Sequence, residues 1–291
     1  MNGAKVFSPD VKVFLESHDP AYERLSVCSG NVKADTVDDL HKGHKYAAQS
    51  FKPSADWRPL TTAEMMQVLS LRPDLDYKRN IGLFSLPAGL KALLSELGLG
   101  KLDSLEAAKQ RIVEKKELFG RVNVALNRFI GKFSMPGSLV TPYIHGIFYN
   151  QPGLETIGVS DKGYIGMHID NGHAFKVDQL SAAPNRMCIN LGQEDRHLLF
   201  IPRTSGEILR SLQTTMDIDT ARYKEYQLTR DFLSANLACP VLKLKQKPYE
   251  AYIAPTDNII HDGCTVGMKE MDVSLVLIGE FGAWQTQPAP R

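Results

Sequence analysis

A histidine and an aspartate stand two positions apart in GYIGMHIDNG (residues 163–172), and a second histidine sits far downstream in NIIHDG (residues 258–263). Alternate residues of an extended strand share a face, so His168 and Asp170 can converge on one point. His261 would complete a set of two imidazoles and one carboxylate. That donor set leaves three positions open on an octahedral ferrous ion, room for a cosubstrate and dioxygen together. Carboxylates alone would suit magnesium or calcium, and a closed structural zinc site wants a fourth protein ligand.

The elements that must position these residues follow from the texture of the chain. After FSMPGS come short β-branched or aromatic runs broken by Gly, Pro, Asn and Asp: LVTPYIHGIFYN, LETIGVSD, GYIGMHID, RMCINLG, RHLLFIP, EAYIAP, NIIHDG and DVSLVLIGEF. Short strands at this spacing predict a sandwich or barrel. The first third reads as mainly helical. Thr61 with Glu64 is a capping-box pattern, LPAGLKALLSELGLG is a periodic helix stopped by glycine, and residues 104–132 carry an apolar stripe of Leu118, Phe119, Val122, Leu126, Phe129 and Ile130. That stripe should lean on a sheet. Residues 41–59 read as an extended loop or arm. Residues 204–247 contain helix-like SGEILRSLQ and DTARYKEYQLTRDFLSAN, an insert that either covers a cavity mouth or simply packs. The expected organisation is one domain over 1–291. It has a helical support (1–135), a strand-rich core (136–203 and 248–284) and the helical insert (204–247).

On MHID, NIIHDG and the strand succession RMCINLG, RHLLFIP, the chain resembles the non-haem Fe(II)/2-oxoglutarate-dependent oxygenase superfamily over roughly residues 138–282. The resemblance implies a mixed α and β fold with a double-stranded β-helix (jelly-roll, cupin-like) core in a JmjC-like strand order. It makes His168, Asp170 and His261 the iron ligands, with Fe(II), 2-oxoglutarate and dioxygen as cofactors. The implied reaction couples decarboxylation of 2-oxoglutarate to hydrogen abstraction from a substrate, ending in hydroxylation, desaturation or ring closure. Many members grip the distal carboxylate of 2-oxoglutarate with an Arg-x-Ser on the last core strand. Here Ser274 is kept, but Asp272 stands where the arginine would be. The anchor is then expected in NRMCINLG, at Arg186 and Asn190, with Lys269 a further candidate; the planar guanidinium fork suits a carboxylate. Asn190, before Leu-Gly, could instead begin a turn. Halogenating members replace the carboxylate ligand by Gly or Ala, so Asp170 argues against that outcome.

Bulk properties narrow the partners. With 34 Lys plus Arg against 33 Asp plus Glu, the formal charge is +1, and no global field draws the chain to nucleic acid or an anionic membrane. A small-molecule substrate is the expectation, such as an amino acid derivative or secondary metabolite. Four scattered cysteines without a CxxC pair read as thiols of a reducing compartment. No signal-like N-terminus or long apolar run is seen, which points to a cytoplasmic protein. No stretch speaks to an oligomeric state. Glycine-rich phosphate loops, nucleophile elbows and HExxH are absent, and VLKLKQKPY reads as a solvated strand or loop. Of the other histidines, His145 could face the cavity, His173 could touch substrate, and His197 should be packing. His18, His41 and His44 lack partners for a metal. Two further readings share the triad: a cupin-like binding protein without turnover, and a zinc- or manganese-dependent hydrolase or isomerase.

Overall fold

The computed structural model describes residues 9–16, 19–34, 45–133 and 140–282. Among the described residues, seven α-helices and sixteen strands alternate. The strands are β1 (Val13–Leu15), β2 (Leu25–Cys28), β3 (Asn31–Lys33), β4 (Tyr46–Pro53), β5 (Arg58–Pro59), β6 (Leu69–Ser70), β7 (Ile81–Ser85) and β8 (Tyr143–Asn150). They continue as β9 (Val159–Ser160), β10 (Gly163–Gly166), β11 (Asn185–Asn190), β12 (Arg196–Thr204), β13 (Val241–Gln246), β14 (Glu250–Ala254), β15 (Ile259–Cys264) and β16 (Asp272–Gly279). The helices are α1 (Ala21–Arg24), α2 (Thr62–Val68), α3 (Ala88–Leu97), α4 (Leu105–Glu114), α5 (Lys116–Ile130), α6 (Ser205–Gln213) and α7 (Glu225–Ala235).

Three sheets result, ordered β6-β1-β7-β14-β11-β16-β8, β15-β12-β13-β2-β5 and β3-β4-β10-β9. Pairing is antiparallel except at β1–β6, β1–β7 and β4–β10. No sheet closes into a barrel among the described residues.

The layers follow from side-chain alternation. Phe84, Met187, Ile189, Ile253, Val273 and Leu275 cover one face of the seven-stranded sheet and pack on α3, α4 and α5. The predicted α5 stripe meets them: Leu118, Val122, Leu126, Phe129 and Ile130 are buried and Phe119 partly so. Its helix is broken from α4 at Lys115, whose φ of −109° and ψ of 40° leave the helical region. The other face joins Leu83, Cys188, Tyr252 and Val276 to Leu25, Leu198, Phe200 and Leu242 of the five-stranded sheet. The far side of that sheet is covered by α6 and α7 through Ile208, Leu212, Leu228 and Phe232.

Thr61 caps α2 in a complete capping box, and Gly98 ends α3 in the left-handed conformation. Two expectations need correction. Residues 46–53 are a paired strand, not a loop, and seven short strands thread the N-terminal region into the sheets beside its helices. VLKLKQ is not solvated: as β13 it lies between β12 and β2, with Val241, Leu242 and Leu244 inside and Lys243 over the Trp57 ring. The insert therefore ends before Val241. No described helix is long and apolar enough to cross a membrane. His18, His41, His44 and the core's first residues, 136–139, lie outside the described residues.

Candidate metal centre

β10 stops at Gly166, where φ is +68° and an added Cβ would clash with the Phe51 carbonyl of β4. Glycine alone lets the chain turn this close to its neighbour. The predicted continuous strand through Asp170 thus gives way to a bend. Beyond it His168 pairs with His261 of β15 by an isolated antiparallel bridge. The His168 N–H donates to His261 O at 3.0 Å, and the His261 N–H returns the bond to His168 O at 2.8 Å. Asp170 is anchored by its own N–H, 3.1 Å from the Thr256 carbonyl.

This main-chain frame brings the three side chains together. His168 Nε2 lies 3.5 Å from Asp170 Oδ1, and His261 Nε2 lies 3.3 Å from Asp170 Oδ2. One ligand atom from each residue falls within 4.8 Å of the others, a group able to hold a metal ion. His168 Nδ1 is 2.8 Å from the Gly166 carbonyl and His261 Nδ1 is 3.3 Å from that of Ile259. In the neutral imidazole, donation from each Nδ1–H to its carbonyl leaves the Nε2 lone pair facing inward. Asp170 Oδ2 is buried and accepts no hydrogen bond, although Arg186 Nη2 stands 3.1 Å away as an ion pair. A buried acceptor without a donor and two aimed imidazoles fit a cation.

The charges are mutually dependent. Burial works against the Asp170 carboxylate, but His261, His168 and Arg186 outweigh it and hold the group well below its ordinary range. Burial likewise opposes the His168 imidazolium, yet Asp170 and Asp262 raise its pKa to about 10. Asp262 was not singled out in the sequence, though it adjoins His261. Its Oδ1 accepts from the N–H groups of Ile157 (3.1 Å) and Gly158 (3.0 Å), which aims Oδ2 to within 3.7 Å of His168 Nδ1. A Cβ at Gly158 would sit 2.8 Å from His168 Cε1, so this wall is cut to fit the ring.

The group opens into a cavity of about 380 Å³. Arg186, Ser274 and His145 line it, as the sequence suggested. A bulge in β8, where Val276 pairs with Gly146 but Leu277 with Ile144, turns His145 in beside Phe148, on which it stacks with ring centroids 5.7 Å apart. Asn190 does not line it. Its Nδ2 donates to the Glu194 and Gln246 carbonyls and its Oδ1 accepts from the Gly192 N–H, the turn role weighed above. Lys269 is exposed and does not line it either, its N–H bonding Glu194. His173 is exposed, and His197, away from the cavity, has its pKa pushed down to about 4 by burial and then by Lys243.

The cavity also holds a cation that sequence reading missed. Arg196 Nε lies 2.8 Å from Asp272 Oδ1, its Nη1 donates to Gln246 Oε1 at 3.2 Å, and the carboxylate accepts a further bond from Asn150 Nδ2 at 2.9 Å. Arg196 and Asp272 are both buried, and the pair joins β12 of one sheet to β16 of another.

No protein-family profile, curated protein or solved structure matches the chain.

Proposed function

We propose that the chain is a non-haem Fe(II)/2-oxoglutarate-dependent oxygenase that hydroxylates a small molecule, with His168, Asp170 and His261 as iron ligands. The carrying observation is the two-histidine, one-carboxylate group, largely withdrawn from solvent with its Nε2 atoms aimed at Asp170, inside a cavity that also holds two arginines. The same reading takes the seven- and five-stranded sheets as the two faces of a jelly roll. Their face-to-face core and the antiparallel pairing from β7 through β14, β11 and β16 to β8 support it.

Iron bound here would supply dioxygen activation coupled to decarboxylation of 2-oxoglutarate. The protein's share is placement. Gly166 and Ile259 hold the imidazoles through their carbonyls, and Arg186 orients the Asp170 carboxylate by pairing with Oδ2. The cosubstrate is a dianion and needs a cation at its far end. Asp272 occupies the place where relatives carry arginine, but it grips Arg196, whose guanidinium then lines the same cavity as Ser274. Arg196 is therefore the distal anchor in this reading, and Arg186 the cation at the metal end.

The test is anaerobic titration with Fe(II) and then 2-oxoglutarate, followed by the visible charge-transfer band that forms when a keto acid chelates iron. We expect a band in the wild type, none in His261→Ala, and an approximately tenfold or greater rise in the 2-oxoglutarate requirement for Arg196→Lys. Iron binding with no band would overturn the oxygenase reading in favour of a hydrolase or a binding protein.

A further inference from the structure

We propose that a second pocket, beneath α7, receives the substrate, and that this substrate is an uncharged, largely apolar small molecule with one hydrogen-bonding group. The inference rests on the oxygenase reading for the word substrate; the pocket itself does not. Its volume is about 280 Å³, at the lower end for ligand sites. Phe51, Ile165, Met167 and Ile169 supply apolar lining, and Ala47 and Ala48 of β4 form a small-residue wall.

Three observations carry the assignment. First, His168 and Ile165 border both this pocket and the metal cavity, so the pocket lies against a candidate ligand. Second, their chemistries differ. The metal cavity concentrates charge, with Arg186, Arg196, Asp170 and Asp262 in its lining, whereas apart from His168 the second pocket's charged lining is Glu225, which accepts from Asn171 Nδ2 at 3.0 Å, and Arg230, which pairs with Asp231 at 2.7 Å. An anion finds no free charge there, while an apolar body finds a matching lining. Third, Thr229 lines the pocket, is only 5% exposed, and its Oγ1 has no hydrogen-bond partner. Buried hydroxyls are normally satisfied, and a helical threonine ordinarily bonds back to its own helix. A ligand hydroxyl, carbonyl or amide would complete this one. The insert that the sequence offered as a cavity cover thus contributes α7 as one wall.

The test uses N-phenyl-1-naphthylamine, an uncharged apolar fluorophore with one N–H, on the full chain with and without Fe(II) and 2-oxoglutarate. We expect saturable binding in the metal-free wild type, at least tenfold weaker in Ala48→Phe, which fills the pocket, and several-fold weaker in Thr229→Val, which keeps its shape. In the loaded protein the dye should shift the iron–2-oxoglutarate band, and the shift should vanish in Ala48→Phe while the band persists. Equal dye affinity in wild type and both variants, or displacement of the dye by 2-oxoglutarate, would overturn the proposal and leave the metal reading standing. Loss of the band with variant-sensitive dye binding intact would instead remove the oxygenase reading and keep the pocket.

Discussion

The two faces of the seven-stranded sheet are made by the same strands and serve opposite ends. On β16 every residue is buried, yet Val273, Leu275 and Leu277 face a dry helical layer while Asp272, Ser274 and Val276 face the interior between the sheets. On β11, Met187 and Ile189 join the helices, and Arg186 and Cys188 the cavity. One face is held by apolar area; the other keeps its polar groups paired, Asp272 with Arg196 of the second sheet and Asn150 of its own, Arg186 with Asp170 beyond the bend. The difference teaches that burial identifies the interior of this molecule but not the working part of it, which is marked by buried charge.

The largest effect should come from stranding that charge. Arg196→Met leaves Asp272 buried with only Asn150, and we expect a loss of about 3–5 kcal/mol in denaturant unfolding, as for other broken buried pairs. The double variant Arg196→Met, Asp272→Leu should recover most of it. If the single variant cost no more than the double, the two faces would not differ in the way described. Next, Leu275→Ala on the dry face should cost about 2–4 kcal/mol through cavity formation, with iron affinity unchanged.

A smaller effect separates the faces by pH. Asp257, on the β14–β15 turn, is pushed up to about 7 by burial and then by the Asp170 charge. Its folded pKa lies above the unfolded value, so the folded state holds the extra proton and stability falls as pH rises from about 4 to 7. In metal-free protein, Asp257→Asn should therefore stabilise by about 1–3 kcal/mol at pH 8 and by little at pH 4. The cost of Leu275→Ala should be alike at both, and a pH-independent effect of Asp257→Asn would contradict the assignment.

How much of this was legible depended on distance along the chain. His168, Asp170 and His261 do come together, but not by the route the two-residue spacing implied: the strand ends at Gly166, and a bend with one bridge to β15 groups the residues that strand alternation was expected to align. The α5 stripe was legible because helical periodicity is local. Arg196 was not, because its meaning lies in Asp272 on another sheet, and no periodicity encodes a contact across sheets. Arg186, expected as an anchor for a carboxylate of the cosubstrate, lines the cavity, but its neighbour there is Asp170, which only the bend at Gly166 makes reachable. Most strands of the N-terminal region escaped because segments of two to five residues such as β1, β5 and β6 are too short to show alternation, and eight-residue β4 because YAAQSFKP does not alternate apolar with polar residues.

The bridge between His168 and His261 has one more consequence. Because paired main-chain hydrogen bonds rather than side-chain contacts set the spacing of the two imidazoles, each corner of the group is placed independently of the others: shortening one histidine to alanine should leave the backbone bridge, and with it the position of the other ring, where it was.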